Sequence, residues 1–381
     1  MSGEKRNALF TFLLPAAIIL IFTAADLAGS DRLYSPTENR LLTERPEFTA
    51  DALFSGEYTE TYEAYVTDQF VSRDKWIAIK TCLDIASGRQ EIGGVYLAKD
   101  DYLIEQHLPE DYPQETVQKK VSMLTALVQD WNAKVMLVPT ADHILAEKLP
   151  ANAPVWDQTA FLGYAETRLG ENVLIDAGPM LRKHAAEEIY YRTDHHWTSL
   201  GAYYGYLAWA EAMGEVAYPY DTASMVQVSD NFLGTLHSRI NINWRADSIY
   251  YFGQTVRRPV SVTYDFRTVK DSVYEKSYLD TKNQYGFFLD DNHAFVEIDT
   301  GYETGKTLLV IKDSYANCFV PLLLPHYDTI YMLDPRYYNG RLSDLIGQYA
   351  SGDVLVLYNC VHFLDDFVYD RQAGSVEREQ E

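Results

Sequence analysis

A chain of 381 residues, 47% hydrophobic and 23% charged, has the balance of an ordinary globular protein and room for one large domain with appendages or two modest ones. Its formal net charge of −23, with no basic stripe, excludes the electrostatic footprint of a nucleic-acid binder. Three cysteines, Cys82, Cys318 and Cys360, form no CxxC or zinc spacing; they read as free thiols or at most one disulfide and leave the redox compartment open.

The chain begins with Lys5 and Arg6 before an uncharged apolar run, Ala8 to Ala25, of about 18 residues, close to the minimum that spans a bilayer. The basic flank predicts that this end stays inside and the body lies outside the cytoplasm. A cleaved signal peptide competes with an uncleaved anchor, but Asp26-Leu27-Ala28-Gly29 makes a poor cleavage site. Residues 1–29 therefore read as a membrane anchor or signal peptide. Residues 30–90 read as a polar linker and amphipathic packing helices, with Asp68-Gln69-Phe70 and Arg73 among them.

Short strands are expected at 94–97 and 102–104, then a helix over 114–131 and a buried strand over 134–139. A helix near 157–169, a strand over 172–176 and a helix over 199–213 complete a stretch from 91 to 217. Residues 218–305 are β-branched and aromatic with Asn, Asp and Gly at turns, the pattern of a β-rich insertion. Residues 306–366 return to βα rhythm, with apolar strands at 307–311, 329–333 and 354–358. Such strands alternating with helices predict an α/β fold with a parallel sheet covered on both faces. The acidic end, 367–381, reads as disordered.

In open parallel sheets, chemistry gathers where strands end. Ser314, Arg336 and Asn359 follow three of the predicted strands, and Asp194-His195-His196-Trp197 opens the 199–213 helix. A serine nucleophile needs a base, and the base needs an orienting carboxylate. His196 and Asp194 can supply both, whatever their order in the chain. Plainer roles stand beside these: a helix cap for Ser314, a turn for Asn359, a salt bridge for Arg336 and a structural place for His195. Asp142 and His143 also follow a strand, as a site rim or as loop polarity. A metal-dependent hydrolase built on Asp194, His195 and His196 is the weaker alternative, because adjacent histidines point apart and no HxxxH pair is present.

The segment VIKDSYAN resembles the first block of the SGNH (GDSL-type) hydrolases, with Lys312 where that block has glycine. DHHWTSLGAYYGYLA resembles their last block, here spaced Asp-x-His, and Asn359 matches the oxyanion asparagine. The blocks stand in permuted order, Asp and His before Ser. With Glu38-Asn39-Arg40, the Asp68-to-Arg73 segment, GVYL at 94–97 and FLGTLHSR at 232–239, this resembles the DHHW proteins and the alginate O-acetylation proteins. The resemblance implies a circularly permuted SGNH-like three-layer α/β/α domain, one half over 91–217 and the other over 306–366, behind one N-terminal transmembrane helix. It implies Ser314 as nucleophile, His196 as base and Asp194 as its orienter, with the Ser314 N–H and Asn359 at the oxyanion. Arg336 and Tyr315 would be further oxyanion or substrate contacts, and no metal or other cofactor would be needed.

The implied function is a membrane-anchored, extracytoplasmic O-acetyltransferase of a cell-surface or secreted polysaccharide. Its partners would be that polysaccharide as acceptor and a membrane-bound O-acyltransferase as acyl donor, since cytoplasmic acetyl-CoA would not reach the domain. A carbohydrate esterase using the same three residues, or a non-catalytic polysaccharide-binding scaffold, are the alternatives.

Overall fold

The structure is a computed structural model that describes residues 3–38, 40–258 and 260–369. Its residues divide into two compact units: one holds the first 89 residues with 238–243, the other 90–237 with the chain from Trp244 onward.

The larger unit is organised by a seven-stranded sheet. Its order is Lys134–Val138, Asp353–Asn359, Thr307–Lys312, Thr329–Leu333, Phe295–Asp299, Ser261–Tyr264 and Thr268–Lys270. The first four strands run parallel, and the last three add antiparallel pairings. Alternate residues of the parallel strands face opposite ways, so each strand feeds two cores. Met136, Val138, Leu308, Val310, Leu355 and Leu357 enter one core, which the Ser199–Met213 helix closes with Tyr206 and Trp209. Val135, Leu137, Leu309, Ile311, Val354 and Val356 enter the other, closed by the Gln114–Trp131 and Gln158–Leu169 helices. That second core continues to Phe367 and Tyr369, past the expected start of the disordered tail at 367. Residues 370–381 lie outside the described residues.

Two expectations change here. The 218–305 region does not stand apart from the sheet: Val262, Tyr264, Val296 and Ile298 bury into the first core, so this stretch supplies the antiparallel side of the sheet. Met225–Phe232 and Asp247–Phe252 form a separate antiparallel pair. The strand expected over 172–176 shrinks to one parallel bridge, Val135 to Leu174. Asn172 stands at a φ of 62°, and the Asp176 carboxylate turns to accept from the Gly178 N–H, so extended backbone is confined to the residues between.

In the smaller unit, the Glu57–Gln69 and Arg73–Ala86 helices meet the 30–45 segment through a polar knot. Asp68, 5% exposed, accepts from both terminal nitrogens of Arg40 (2.8 and 2.5 Å) and from the Thr43 N–H (2.9 Å). Arg73 reaches Glu38 at 2.7 Å, and the Gln69 amide pairs with the Arg32 backbone at both N–H and carbonyl. The Arg40 bond, ahead of an opposing burial effect, holds the Asp68 carboxyl well below the usual carboxylate range. The apolar run at the N-terminus lies within a helix over Gly3–Ala28, and Phe22 of that helix packs on Phe70 and Trp76. Among the described residues, no helix is long and apolar enough to cross a membrane. Cys82 is exposed, Cys318 and Cys360 are buried, and all three are free thiols.

Glycine positions separate close packing from open space. A Cβ at Gly201 would collide with the Ile189 carbonyl oxygen and press Trp197, whereas Gly163, also helical, has nothing within 4 Å. Gly201→Ala is expected to lower unfolding free energy by roughly 1–3 kcal/mol. Gly163→Ala is expected to raise it by about 0.5–1 kcal/mol, as a helical Gly-to-Ala change does. Urea denaturation of both variants checks the contrast.

Candidate active site

Ser314 sits in the turn after the Thr307–Lys312 strand, at the carboxyl end of the parallel strands. Its Oγ is 2.7 Å from His196 Nε2, and His196 Nδ1 is 2.5 Å from Asp194 Oδ1. All three side chains are buried. Burial alone would raise the Asp194 pKa, but His195, His196 and the bonds from His196 and Thr235 hold it well below the usual carboxylate range. Asp194 is therefore an acceptor only, so Nδ1 must carry the proton and donate to it. That leaves the Nε2 lone pair to accept from the Ser314 hydroxyl, the tautomer a general base requires.

The local chain is built to hold this line. Asp194 Oδ1 also accepts from the His196 N–H, and Oδ2 accepts from the Thr235 N–H (2.9 Å) and hydroxyl (3.1 Å). Gly234 lies so close that any Cβ there would collide with the Asp194 carboxylate. Tyr285 stacks flat on the His196 ring, with centroids 3.8 Å apart and planes 12° apart, and its hydroxyl donates to the Ser314 carbonyl. Asp247 fixes the approach to the motif by accepting from the Arg192 and Thr193 N–H groups and the Thr193 hydroxyl.

Asp313, beside the serine, plays a matching part. Its carboxylate accepts from the Tyr315 and Asn359 N–H groups, each at 2.9 Å, and lies 3.2 Å from His362 Nδ1. The Asn359 amide oxygen caps the next helix by accepting from the Val361 and His362 N–H groups. The opposite end of that amide, its NH2, makes no hydrogen bond among the described residues, and neither does the Ser314 backbone N–H. Two uncommitted donors at the strand ends are what an oxyanion site requires. Tyr315 is buried and holds the motif loop: its hydroxyl donates to the His195 carbonyl, and its own carbonyl accepts from Trp197 Nε1. Arg336 goes elsewhere. It grips Asp334 through Nε and Nη2, at 2.9 and 2.7 Å, the salt-bridge role.

Asp194, His195, Tyr315 and Asn359 line a small cleft. Glu105, His107, Asp142 and His362 line it as well. Asp142 thus joins the site, while His143 turns to Thr159 and Arg182. His107 and Tyr285 drew no attention in the sequence. One signal was present: an otherwise unexplained acid after a strand, Asp142, which pairs with His107 at 3.0 Å. Asp194, His195 and His196 also bring possible ligand atoms within 4.8 Å of one another. A metal bound through His196 would have to displace it from Ser314 or from Asp194, because both ring nitrogens are engaged.

The fold and site define an α/β protein with a hydrogen-bonded Ser–His–Asp triad at the carboxyl ends of parallel strands. The family model described as DHHW protein matches residues 85–333, and the chain belongs to that family. A DHHW family protein from Eubacterium siraeum is 23% identical, with a TM-score of 0.60 over 74% of this chain and 98% of that one. Bacillus cereus PatB1, in a structure with a sulfonyl adduct, is 19% identical, with a TM-score of 0.56 over 72% and 97%. The O-acetyltransferase domain of Pseudomonas putida AlgJ is 17% identical, with a TM-score of 0.42 over 73% and 94%. The first two likenesses are of fold. No curated protein matches the chain.

The His195 ring lies against His196, centroids 4.0 Å apart and planes tilted by 35°, and burial, aided by the neighbouring imidazole, pushes its pKa down to about 3. Between that value and the ordinary one near 6.5, the unfolded chain binds the proton and the folded chain does not. His195 therefore contributes stability that is complete above pH 6.5 and shrinks as pH falls toward 3. His195→Gln is expected to remove this part of the pH dependence, measured as the wild-type-minus-variant difference in unfolding free energy between pH 4.5 and 7.

Proposed function

We propose that this chain is an extracytoplasmic O-acyltransferase that passes an acetyl group through Ser314 to a hydroxyl of a polysaccharide. The observation that carries the reading is the 2.7 Å contact from His196 Nε2 to Ser314 Oγ, with Nδ1 fixed on Asp194. His196 takes the hydroxyl proton as Oγ attacks the acyl carbonyl, then returns it to the departing donor group, leaving an ester on Ser314. A sugar hydroxyl attacks that ester, gives its proton to His196, and Ser314 leaves with the proton returned. The Asn359 amide and the Ser314 N–H hold the carbonyl oxygen as it becomes negative; removing one such donor costs about 3–4 kcal/mol of barrier in known cases.

The family and the chain order support a circularly permuted SGNH-like domain: the Asp/His segment precedes the serine segment, yet both meet at one end of the sheet. The sulfonyl adduct described for PatB1 suits a fold that hosts an activated nucleophile. The Lys5-Arg6 flank and the Ala8–Ala25 run support an N-terminal anchor, and a body outside the cytoplasm needs a membrane-bound donor. A reporter fused to the C-terminus is expected to be active only outside the cytoplasm; a cytoplasmic signal would defeat the export and donor parts of the reading.

The three residues should act as one device. With an activated acetyl ester, Ser314→Ala is expected to abolish the acetyl adduct seen by mass spectrometry, and His196→Ala to cost nearly as much. The double variant should be little worse than Ser314→Ala alone. Asp194→Asn should cost roughly 10³–10⁴ in turnover through the wrong tautomer. A sulfonyl fluoride should label Ser314, and strong chelator should leave turnover intact. An adduct that survives Ser314→Ala, or activity lost to chelator and restored by zinc, would replace this mechanism. Acetyl released to water with no transfer to any sugar would make the enzyme an esterase.

A further inference from the structure

An amphipathic helix of a globular protein ordinarily turns its apolar stripe to a core. The Arg73–Ala86 helix turns one to solvent. Trp76, Ile79 and Leu83, three and four positions apart, share a face and are 45%, 49% and 65% exposed. Thr81, on the opposite side, is buried. At about 3.6 residues per turn, Lys75 falls beyond Ile79 on one edge of the stripe and Lys80 beyond Trp76 on the other. Both lysines are exposed. The acids of this helix are withdrawn: Asp74 and Asp84 are half-buried, Asp74 beside Arg32 and Arg73, Asp84 beside Lys80 and Arg89. In a chain of net charge −23, the exposed charges on this helix are both positive.

The N-terminal helix shows what lies against this face. Phe22 stacks on Phe70 and meets Trp76 edge-on, with ring centroids 5.9 and 5.5 Å apart. Phe22 stands shortly before Ala25, the end of the apolar run, and so about 4.5 Å inside that end at 1.5 Å per residue. With the run in a bilayer, this contact holds Trp76 at the level where hydrocarbon gives way to headgroups, the depth that tryptophan favours. An open groove of about 440 Å³, with Val66, Phe70 and Ile77 in its lining, extends the apolar surface beside Trp76. Tryptophan, isoleucine and leucine edged by lysines suit a bilayer interface: the apolar side chains enter the acyl boundary, and the lysine stems lie along it with their ammonium groups among phosphates. A second copy of the chain fits worse, because a two-fold contact through this stripe would set the lysines of one copy against those of the other.

We propose that the Arg73–Ala86 helix lies on the surface of the membrane that holds the N-terminal run, with Trp76, Ile79 and Leu83 in the acyl boundary and Lys75 and Lys80 on anionic lipid phosphates. This rests on the anchor reading and adds a second point of attachment to it. The smaller unit is thereby laid against the bilayer rather than hung from a tether.

Cys82 supplies a native reporter, since it is exposed on this helix while Cys318 and Cys360 are buried. The full chain, labelled at Cys82 with an environment-sensitive fluorophore, is placed in vesicles of phosphatidylcholine alone or of phosphatidylcholine with phosphatidylglycerol. A second set of vesicles carries a nitroxide on the acyl chain near the headgroup. Emission is expected to shift to the blue and to be quenched by the nitroxide, more strongly where phosphatidylglycerol is present. Lys75→Gln with Lys80→Gln should lower the quenching at least about twofold in those vesicles, while the chain still sediments with them through its N-terminal run. Ile79→Ser with Leu83→Ser should lower it in both kinds of vesicle. All four positions are exposed, so the fold should tolerate these changes. A vesicle-bound chain whose probe stays in water, unquenched, overturns the interfacial face and leaves the anchor standing. A probe shielded according to protein concentration rather than lipid gives the face to a second copy and overturns it equally. A chain that does not sediment with vesicles is a different failure: it removes the anchor and the interfacial face with it.

Discussion

The site depends on one carboxylate with every lone-pair direction in use. Asp194 takes donors from His196 on one oxygen and from Thr235 on the other, and Gly234 makes room for it by having no side chain. A buried charge is tolerable when hydrogen bonds replace water around it. The same bonds fix the imidazole's rotation, its tautomer and the distance to Ser314. Remove any of these donors and the carboxylate must either take up a proton or find water, and in each case the base loses its orientation.

Asp313 repeats the device on the nucleophile's side. It ties the turn after one parallel strand to the end of the next by accepting from Tyr315 and Asn359 backbone groups. The two carboxylates thus pin the two halves of the triad separately, and Tyr315 joins them, its hydroxyl on the His195 carbonyl and its carbonyl on the Trp197 indole. Lys312, where the resembled block has glycine, is buried beneath this turn, 2.9 Å from the Asn317 amide oxygen and 3.4 Å from Asp334. Burial lowers its pKa, and the nearby carboxylates oppose that. Arg336 shares Asp334 with it, so the arginine that looked like a substrate contact is part of the support under the serine turn.

What could be read from the sequence was what local pattern encodes. The 114–131 and 199–213 helices and the 329–333 strand have the predicted bounds, because periodicity and flanking residues act over a few positions. Asp194, His196 and Ser314 were legible because the residue types a nucleophile needs stood at strand and helix ends. His107 was not, since its meaning comes from Asp142, 35 positions away. Tyr285 was hidden in a short 3₁₀ turn with no pattern of its own. Arg336 misled because the partner that claims it, Asp334, is two residues earlier and could equally have faced solvent. The antiparallel side of the sheet was mistaken for a separate module because alternation along a strand does not say which sheet it joins.

The order of the strands has a consequence for how the molecule comes into being. The Lys134–Val138 strand takes its ladder partner from Asp353–Asn359, and Asp194 and His196 precede the serine by more than a hundred residues. A growing chain holds His196 and Asp194 long before it holds either Ser314 or the Asn359 backbone that clamps Asp313. Such long-range pairings form slowly and late, since loop closure must precede the contacts that reward it. The meeting of Ser314 with His196 is therefore among the last features the folding chain completes. The hydrogen-bonded line from Asp194 through His196 to Ser314 would then report that the whole sheet has closed.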